Sequence, residues 1–226
     1  MIKKIKKILW PYYNKLKTLL KIHIFKDKLF IARQEFRRDN AVRNLRYAYP
    51  LNRDSVVFDL GGYIGEWAEQ IWKLYGCNIY SFEPVKKFYD TSVAKFKNNN
   101  KVHLFNFGLS DTDSMQMISI DGVSSSVFIG KRDTEIQLKD VKKVFDSLNI
   151  KRIHLLKMNI EGGEYQVLPR MIETGMIPLC DDIQIEFHHF YPESEKLRSE
   201  IQATLKKTHH LTYDYPFFFE NWKINT

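Results

Sequence analysis

The sequence predicts an α/β fold, in which a doubly wound and mostly parallel sheet is preceded by an N-terminal helical arm. From Arg53 onward, short apolar strands alternate with helical stretches in a β-α-β-α-β order with short loops. That order is typical of parallel strands joined by right-handed crossovers. The first 50 residues differ, because lysines recur among apolar residues at helical spacing. We therefore expect an arm over residues 1–50 and one domain over residues 51–226.

The composition is that of a folded globular chain. With 226 residues, 44% of them hydrophobic and 14% aromatic, the chain can bury one complete core. The two cysteines, Cys77 and Cys180, are isolated, so we expect neither a disulfide framework nor a zinc site. No cleavage site follows the basic start, and no 18 apolar residues run together. These features favour a cytoplasmic protein without a spanning helix.

Most of the positive charge lies in the arm. Residues 1–50 contain 14 Lys and Arg against three Asp and Glu, a net charge of +11, whereas the rest of the chain has a net charge of −3. Pro11 divides the predicted helix, whose apolar face consists of Ile2, Ile5, Leu9, Tyr12, Leu16 and Leu19. Such a face packs against its own domain or a second subunit, as in a homodimer, or lies on the anionic inner face of a membrane. Nucleic acid is a weaker explanation of the charge.

The elements of the domain form two sets. The first set alternates strand and helix through "SVVFDLGG", "EWAEQIWKLYG", "CNIYSFEP", "KKFYDTSVAKFKNNN" and "VHLFNFGLSD". Residues 111–140 alternate polar and apolar positions, so we expect hairpins and loops beside the sheet, in a substrate-facing region. The second set contains "HLLKMNI", "GEYQVLPRMIETG", "DDIQIEFHHF" and "ESEKLRSEIQATLKK", and the aromatic stretch "YDYPFFFENW" is the predicted last strand pair.

A glycine turn after the first strand indicates the ligand. The turn reads D-L-G-G-Y-I-G over residues 59–65, and Glu83 ends the next strand, 18 residues after Gly65. Ligands of doubly wound sheets bind beyond the carboxyl ends of the strands, so we expect Asp59, Glu83 and Glu161 at one edge. Asp59 would repel a pyrophosphate but suits the cationic groups of S-adenosylmethionine, and Glu83 can accept the ribose hydroxyls. Together the two acids favour S-adenosylmethionine over a dinucleotide.

Five separated blocks of the sequence resemble a known family. In chain order the blocks are "VFDLGGYIGEWA", "FEP", "NFGLSD", "LLKMNIEGGEYQVL" and "IQIEFHH". They look like the FkbM-type S-adenosylmethionine-dependent methyltransferases, over the stretch from Arg53 to Pro192. The resemblance implies a Rossmann-like class I methyltransferase fold. It also implies O-methylation of hydroxyls, on sugars of surface glycans or on secondary metabolites.

The resemblance also implies cofactor-binding residues. In the order of the blocks these are Asp59, Gly61, Gly62, Tyr63 and Gly65 of the cofactor loop, Glu83 as the ribose-binding acid, Ser110 and Asp111 near the adenine, and Asn159. The loop departs from the family pattern, because Gly62 and Tyr63 replace Ala and Asn and an amide is missing. Asn159 replaces a frequent Asp, so no carboxylate is present there to serve as a metal ligand or base.

Three side chains are the candidates for catalysis. Glu161 ends a predicted strand beside Gly162, and the alternation in "DIQIEFHHF" places Glu186 and His188 on one face. A carboxylate that orients a histidine is a familiar arrangement for a general base. The alternatives are a structural role for either histidine and a helix N-terminal role for Glu161, while Glu164 is expected to cap or pack. We expect no required metal, because metal-ligand spacing is absent.

The sequence thus predicts an S-adenosylmethionine-dependent O-methyltransferase that acts on a sugar hydroxyl of a surface polysaccharide or its precursor. A small secondary metabolite is the alternative acceptor. A nucleic-acid methyltransferase or binding protein is a further alternative, although no N/D-P-P-Y/F base-flipping motif is present and no nucleic-acid partner is expected. A binding module that has lost its cofactor would have the same fold.

Overall fold

The computed structural model describes residues 27–121, 124–126 and 134–225. The strands are β1 (Val56–Leu60), β2 (Asn78–Phe82), β3 (Val102–Phe105), β4 (Gly108–Ser110), β5 (Ser114–Asp121), β6 (Ser124–Ser126), β7 (Thr134–Asp140), β8 (Ile153–Met158), β9 (Cys180–Ile185), β10 (His209–Tyr215) and β11 (Phe219–Ile224). The α-helices are α1 (Lys28–Arg38), α2 (Ala41–Asn44), α3 (Glu66–Tyr75), α4 (Lys86–Phe96), α5 (Val141–Ser147), α6 (Glu164–Glu173) and α7 (Ser194–Leu205). A short 3₁₀ helix spans Ile177–Leu179.

The central sheet has seven strands in the order β10-β11-β9-β8-β1-β2-β3. Strands β3, β2, β1, β8 and β9 are parallel, β11 is antiparallel to β9, and β10 is antiparallel to β11. The chain moves outward from β1 through β2 to β3 and then returns to the other side of β1 with β8. This reversal of direction lies between β1 and β8, and ligands of doubly wound sheets bind at such a point. The predicted α/β class with a mostly parallel sheet is confirmed.

Both faces of the sheet are covered, which explains why the central strands are apolar on both sides. Helices α5, α6 and α7 pack on one face, in a core that includes Phe58, Leu156 and Ile183. Helix α3 packs on the other face, where Trp67 and Ile71 contact the strands. The residue Trp222 on β11 is fully buried. The aromatic C-terminal stretch therefore fills the core and closes the sheet, as predicted.

A smaller second sheet lies beside the first one. Its strands follow the order β4-β7-β5-β6, and β5 and β7 pair antiparallel over five residues on each strand. Ile118 on β5 and Ile136 on β7 are buried together with Val85 and Phe88. The region between the two sequence sets thus forms the expected antiparallel strands, and these cover one side of the carboxyl edge.

The described part of the predicted arm packs against the domain. Helix α1 begins after Asp27, whose carboxylate accepts a hydrogen bond of 2.9 Å from the Phe30 N–H. Ala32 and Phe36 of α1 are buried against Tyr215 and Phe219 of the C-terminal hairpin. The apolar stripe over residues 2–19 and the break at Pro11 lie outside the described residues, so the role of that stripe stays a prediction. Over the described ranges, no helix combines the length and apolar character needed to cross a membrane.

Candidate active site

A row of polar side chains crosses the sheet beneath the glycine turn. The row consists of five buried residues that are direct neighbours in the registers of β2, β1, β8, β9 and β11: Ser81, Asp59, Lys157, Gln184 and Asn221. The Lys157 ammonium donates to the Asp59 carboxylate at 2.8 Å and to the Gly61 carbonyl at 2.8 Å. The Ser81 hydroxyl donates to Asp59 at 3.1 Å. Buried polar groups need such partners, so the row stabilises the base of the turn.

This row corrects the interpretation of Asp59. Its side chain has no exposed surface, and Lys157 neutralises its charge. The carboxylate therefore lies behind the turn and does not line the cavity at the edge of the sheet. The sequence pattern identified the correct turn, but Asp59 supports the loop from below and does not face the cationic groups of a ligand.

The residues above this row form the candidate site. The ladder of backbone hydrogen bonds continues beyond the strand ends, with N–H groups of Gly61, Glu83, Asn159 and Glu186 bonded to carbonyls of neighbouring strands. These four residues follow the buried row by two positions, which is the repeat of side chains on one face of a strand. The carboxyl ends of β1, β2, β8 and β9 therefore lie side by side at one edge of the sheet.

The glycine turn is tightly packed against β8. Gly61 has a φ of +79°, and a Cβ atom there would lie 1.9 Å from the Asn159 carbonyl oxygen. A Cβ atom on Gly62 would lie 2.1 Å from the Ser81 hydroxyl oxygen. Only glycine fits these two positions without displacing a neighbour. The departure from the family pattern at Gly62 therefore has a local reason, because Ser81 occupies the space that an alanine methyl group would need.

A cavity opens above the turn at the switch in strand order. It is lined by Gly61, Tyr63, Phe82, Glu83, Pro84, Gly108, Leu109, Gln116, Ile118, Ile136, Leu138, Asn159, Ile160, Glu161, Gly163 and Gln166. Five of the predicted site residues are among them: Gly61, Tyr63, Glu83, Asn159 and Glu161. The other predicted residues do not line it: Asp59, Gly62, Gly65, Ser110, Asp111, Glu186 and His188. Gln166 also lines the cavity and was not predicted, since its one signal in the sequence was its place in the first turn of the helix after Gly162 and Gly163.

Glu83 is held in one orientation at the bottom of this cavity. Its two carboxylate oxygens accept hydrogen bonds of 2.8 Å from the N–H groups of Tyr63 and Val85. Burial raises the pKa of Glu83 to about 6, and the two N–H donors oppose that rise. Each oxygen can accept a further hydrogen bond, because a carboxylate can accept about four in total. Two adjacent hydroxyl groups, such as those of a ribose, match this geometry.

Tyr63 gives the loop an aromatic wall in place of an amide. It has a φ of +49°, and its ring meets the Phe88 ring edge-on with centroids 4.4 Å apart. The Ser92 hydroxyl donates to the Tyr63 carbonyl at 3.0 Å and holds this left-handed conformation. The ring continues the apolar side of the cavity formed by Ile118, Ile136 and Leu138. That side suits a purine base.

Asn159 lines the same cavity, and the described residues provide no hydrogen-bond partner for its buried side-chain oxygen. Its backbone N–H donates to the Leu60 carbonyl at 3.1 Å, but its side-chain oxygen Oδ1 is buried without a hydrogen-bond partner. A buried acceptor of this kind costs free energy unless a ligand completes it. An amino group of a ligand would do so. The Glu83 carboxylate, the apolar wall and the Asn159 oxygen have the chemistry to fit the ribose, the adenine and the amino group of S-adenosylmethionine.

Gly65, Ser110 and Asp111 lie next to the cavity without lining it, and Asp111 is exposed. Gly65 has a φ of +75° and precedes α3, and a Cβ atom there would lie 2.7 Å from the Phe96 ring. The buried Ser110 hydroxyl donates to the Asp111 carboxylate at 3.1 Å and lies 3.4 Å from the Gln166 amide oxygen. These residues shape the cavity from behind, and the adjacent Gly108 and Leu109 form its surface.

Glu161, His188 and Glu164 form a chain of three ionisable groups. Glu161 has a φ of +53° and carries its carboxylate at the cavity wall, 3.4 Å from His188 Nε2. On the other side of the ring, His188 Nδ1 lies 2.9 Å from the Glu164 carboxylate. Glu164 is fully buried and also accepts hydrogen bonds from the N–H groups of His188 at 2.7 Å and Gly162 at 3.0 Å. The chain thus connects the cavity to the start of α6.

This arrangement corrects two catalytic assignments. The carboxylate that orients His188 is Glu164, which the sequence analysis assigned to capping or packing, and it is not Glu186. Burial lowers the pKa of His188, but the Glu164, Glu161 and Glu186 carboxylates outweigh this effect and raise it to about 9. His188 is therefore an imidazolium at neutral pH, and both ring nitrogens face carboxylates. Because both nitrogens lie next to carboxylates, the ring has no free nitrogen to act as a base.

Glu186 lies beside this chain at the end of β9. Burial raises its pKa to about 7, and the charge of His188 opposes the rise. Burial likewise raises the pKa of Glu161, while His188 lowers it. His189 points elsewhere, with its ring near Phe190 and Phe217. Within the described residues, no group of three or more His, Cys, Asp and Glu side chains is arranged to hold a metal ion.

The doubly wound sheet, the glycine turn and the cavity above it define the class of protein, a methyltransferase with the Rossmann-like class I fold that uses S-adenosylmethionine. More particularly, the chain belongs to the FkbM methyltransferase family, because the model of the methyltransferase FkbM domain matches residues 59–215. A similar curated protein is "Methyltransferase 1" of Beauveria bassiana (strain ARSEF 2860). It is 26% identical over 168 residues, which cover 58% of this chain and 67% of that protein.

Solved structures resemble the chain at low sequence identity. An rRNA methylase from Streptococcus thermophilus is 12% identical with a TM-score of 0.49, over 78% of this chain and 90% of that one. Aeropyrum pernix fibrillarin, crystallised with natively bound S-adenosyl-L-methionine, is 10% identical with a TM-score of 0.44, over 77% of this chain and 67% of that one. Likeness at this level carries no information about the acceptor of the present chain.

Proposed function

We propose that the chain transfers a methyl group from S-adenosylmethionine to a sugar hydroxyl of a surface polysaccharide or its precursor, with Glu161 as the general base. The observation that carries this proposal is the position of the Glu161 carboxylate, on the cavity wall and 3.4 Å from His188 Nε2. A hydroxyl is a poor nucleophile, and a positioned base accelerates its reaction by about 10²–10⁴-fold.

The roles follow from the geometry of the cavity. When bound, S-adenosylmethionine supplies a methyl group on a positively charged sulfur. Glu83 would hold the ribose and Asn159 the amino group of the cofactor, which leaves the side of Glu161 for the acceptor hydroxyl. Glu161 would take the proton of the acceptor hydroxyl, while the cofactor would supply the methyl group to the hydroxyl oxygen by cleavage of its C–S bond, with S-adenosylhomocysteine as the second product. Holding the acceptor hydroxyl next to the methyl group would lower the activation barrier by up to about 7–11 kcal/mol.

His188 and Glu164 are positioning residues in this scheme. The imidazolium keeps the Glu161 carboxylate oriented, and the buried Glu164 fixes the ring through Nδ1 at 2.9 Å. Burial raises the pKa of Glu161 above that of an exposed glutamate. A carboxylate with a raised pKa is a stronger base, which suits proton abstraction near neutral pH.

The test compares Glu161→Gln with the wild type on a panel of acceptors. The panel contains neutral methyl glycosides, nucleotide-linked sugars and ribosomal RNA, with S-adenosylmethionine carrying a labelled methyl group. We expect label on a glycan hydroxyl, a fall in kcat of at least about 10²-fold in Glu161→Gln, and an unchanged affinity for S-adenosylhomocysteine. Glu66→Gln is the control, because Glu66 is exposed at the start of α3. Label on RNA alone, or full activity in Glu161→Gln, would overturn the proposal.

A further inference from the structure

Arg46 lies in the segment that precedes the family domain, yet it is tied to the central sheet. Its backbone N–H donates to the Ala41 carbonyl at 2.9 Å, at the end of α2. Its carbonyl accepts a hydrogen bond of 3.1 Å from the Gln184 amide on β9. Gln184 belongs to the buried polar row, so the backbone of Arg46 is held beside the strand that ends at Glu186.

The guanidinium of Arg46 has no polar partner among the described residues. Its central carbon lies 5.1 Å from the centroid of the Phe219 ring and 5.5 Å from that of Tyr47. The side chain is half-buried, and its Nε atom is buried without a hydrogen bond. Leaving the buried Nε–H donor of the guanidinium unpaired costs free energy. A ligand with acceptor atoms would remove that cost.

Glu186 is the complementary group at the same place. Glu220 of β11 pairs with Ile185 of β9 in an antiparallel ladder. The preceding residue of β11, Phe219, therefore lies across from Glu186, and its ring is the one that Arg46 covers. The Glu186 N–H donates to the Met158 carbonyl at 2.9 Å, which places the residue on the carboxyl edge next to β8. Its half-buried carboxylate accepts no hydrogen bond from the residues that the structure describes. Arg46 and Glu186 are thus both placed next to Phe219, and Glu186 is close enough to Arg46, His188 and Glu161 to interact with them electrostatically. Neither side chain makes a hydrogen bond among the described residues.

We infer that Arg46 and Glu186 bind the acceptor, and that this acceptor is an uncharged polyhydroxylated ring. Hydroxyl groups both donate and accept, so one ring can accept from Arg46 and donate to Glu186 while a further hydroxyl reaches Glu161. An anionic acceptor would pair with Arg46 but would be repelled by Glu186 and Glu161. The inference rests on the proposed function and extends it to a residue outside the family domain of residues 59–215.

The test measures binding of simple glycosides by saturation-transfer NMR to protein saturated with S-adenosylhomocysteine. The neutral probes are the methyl glycosides of glucose, galactose and rhamnose, and the anionic probes are methyl glucuronide and glucose 1-phosphate. The variants are Arg46→Met and Arg46→Lys, which keeps the charge without the planar fork. Arg43→Met is the matched control, because Arg43 is exposed on α2. Calorimetric titration with S-adenosylhomocysteine checks that every variant is folded.

We expect saturation transfer to at least one neutral glycoside, a loss of about tenfold or more in its affinity in both Arg46 variants, and no change in Arg43→Met. The inference would be overturned by any of three results: unchanged glycoside binding in Arg46→Met, no binding of any neutral glycoside to the wild type, or preferential binding of the anionic probes. Failure of the wild type to bind S-adenosylhomocysteine would contradict the proposed function itself. If only the effect of the Arg46 substitutions is absent, the wild type still binds S-adenosylhomocysteine in the calorimetric titration. Failure of the inference is therefore distinguishable from failure of the proposed function.

Discussion

The ammonium group of Lys157 lies 2.8 Å from the carboxylate of Asp59, in a buried pair on which the glycine turn rests. The same ammonium donates to the Gly61 carbonyl at 2.8 Å, so one side chain neutralises the acid and holds the turn. Sequence patterns alone present Asp59 as a ligand-facing acid. The pair shows instead that the first acid of the turn is buried beneath it, while Glu83 and Asn159 line the cavity above.

Removing Lys157 is expected to destabilise the protein strongly. Lys157→Met leaves the Asp59 charge buried without its partner, which costs about 3–5 kcal/mol in the free energy of unfolding. The measurement is urea denaturation. Lys86→Met is the control, because the exposed pair of Lys86 with Asp90 contributes at most about 1 kcal/mol. A loss in Lys157→Met no larger than that of the control would contradict the assigned role.

Gly61→Ala is expected to disrupt the cofactor loop. The added methyl group would lie 1.9 Å from the Asn159 carbonyl oxygen, so the loop has to move away from β8. We expect the affinity for S-adenosylhomocysteine to fall by at least about tenfold in a calorimetric titration. Gly175→Ala is the control for the backbone strain that alanine causes at a positive φ. Gly175 has a φ of +69°, but no atom lies within 4 Å of the Cβ atom that the substitution would add. Equal affinities of the two variants would show that the contact is unimportant.

Gly62 and Ser81 are expected to be energetically coupled. Gly62→Ala places a methyl group 2.1 Å from the Ser81 hydroxyl oxygen, but 3.5 Å from the Ser81 Cβ atom. The substitution should therefore destabilise the wild type by about 1–3 kcal/mol and cost less in a Ser81→Ala background. Denaturation of the two single variants and the double variant gives the coupling energy. Additive costs would mean that Ser81 is not the reason for glycine at position 62.

The titration of His188 is a direct check of the chain of ionisable groups. Its pKa in the folded protein is raised to about 9, above the usual value near 6.5. The stabilisation from its charge is therefore complete below about pH 6.5 and is lost as the pH rises through about 9. NMR of the ring protons should show this raised pKa in the wild type and a lower one in Glu164→Gln. A wild-type pKa near 6.5 would show that the carboxylates do not control the ring.

Short-range sequence patterns were sufficient to predict the order of the strands and helices and the position of Glu83 at the end of the second strand. Alternation and glycine punctuation act over a few residues, and Glu83 ends the second strand of the first set. The pair of Asp59 and Lys157 was not predictable, because the two residues are 98 positions apart and meet only through the register of β1 and β8. Long-range registers of this kind leave no local signal.

Two further residues show where sequence patterns are insufficient. Glu164 stands at the start of a helix, where a capping role is an adequate explanation, and its contact with His188 depends on how the end of β9 approaches α6. Arg46 lies outside the five motif blocks, in a basic segment whose charge seemed to need no specific partner. That its buried Nε atom has no hydrogen-bond partner among the described residues is visible only in three dimensions.

The most direct test of the cofactor site is a calorimetric titration with S-adenosylhomocysteine at pH 7.5, comparing the wild type, Glu83→Gln and Glu66→Gln. Glu83 is the one carboxylate in the cavity whose oxygens are both fixed by N–H donors, each at 2.8 Å. We expect wild-type affinity in Glu66→Gln and a loss of about tenfold or more in Glu83→Gln, since an amide accepts on only one of its two atoms. Equal affinity of Glu83→Gln and the wild type would contradict the placement of the ribose at Glu83, and with it the orientation of the cofactor toward Glu161.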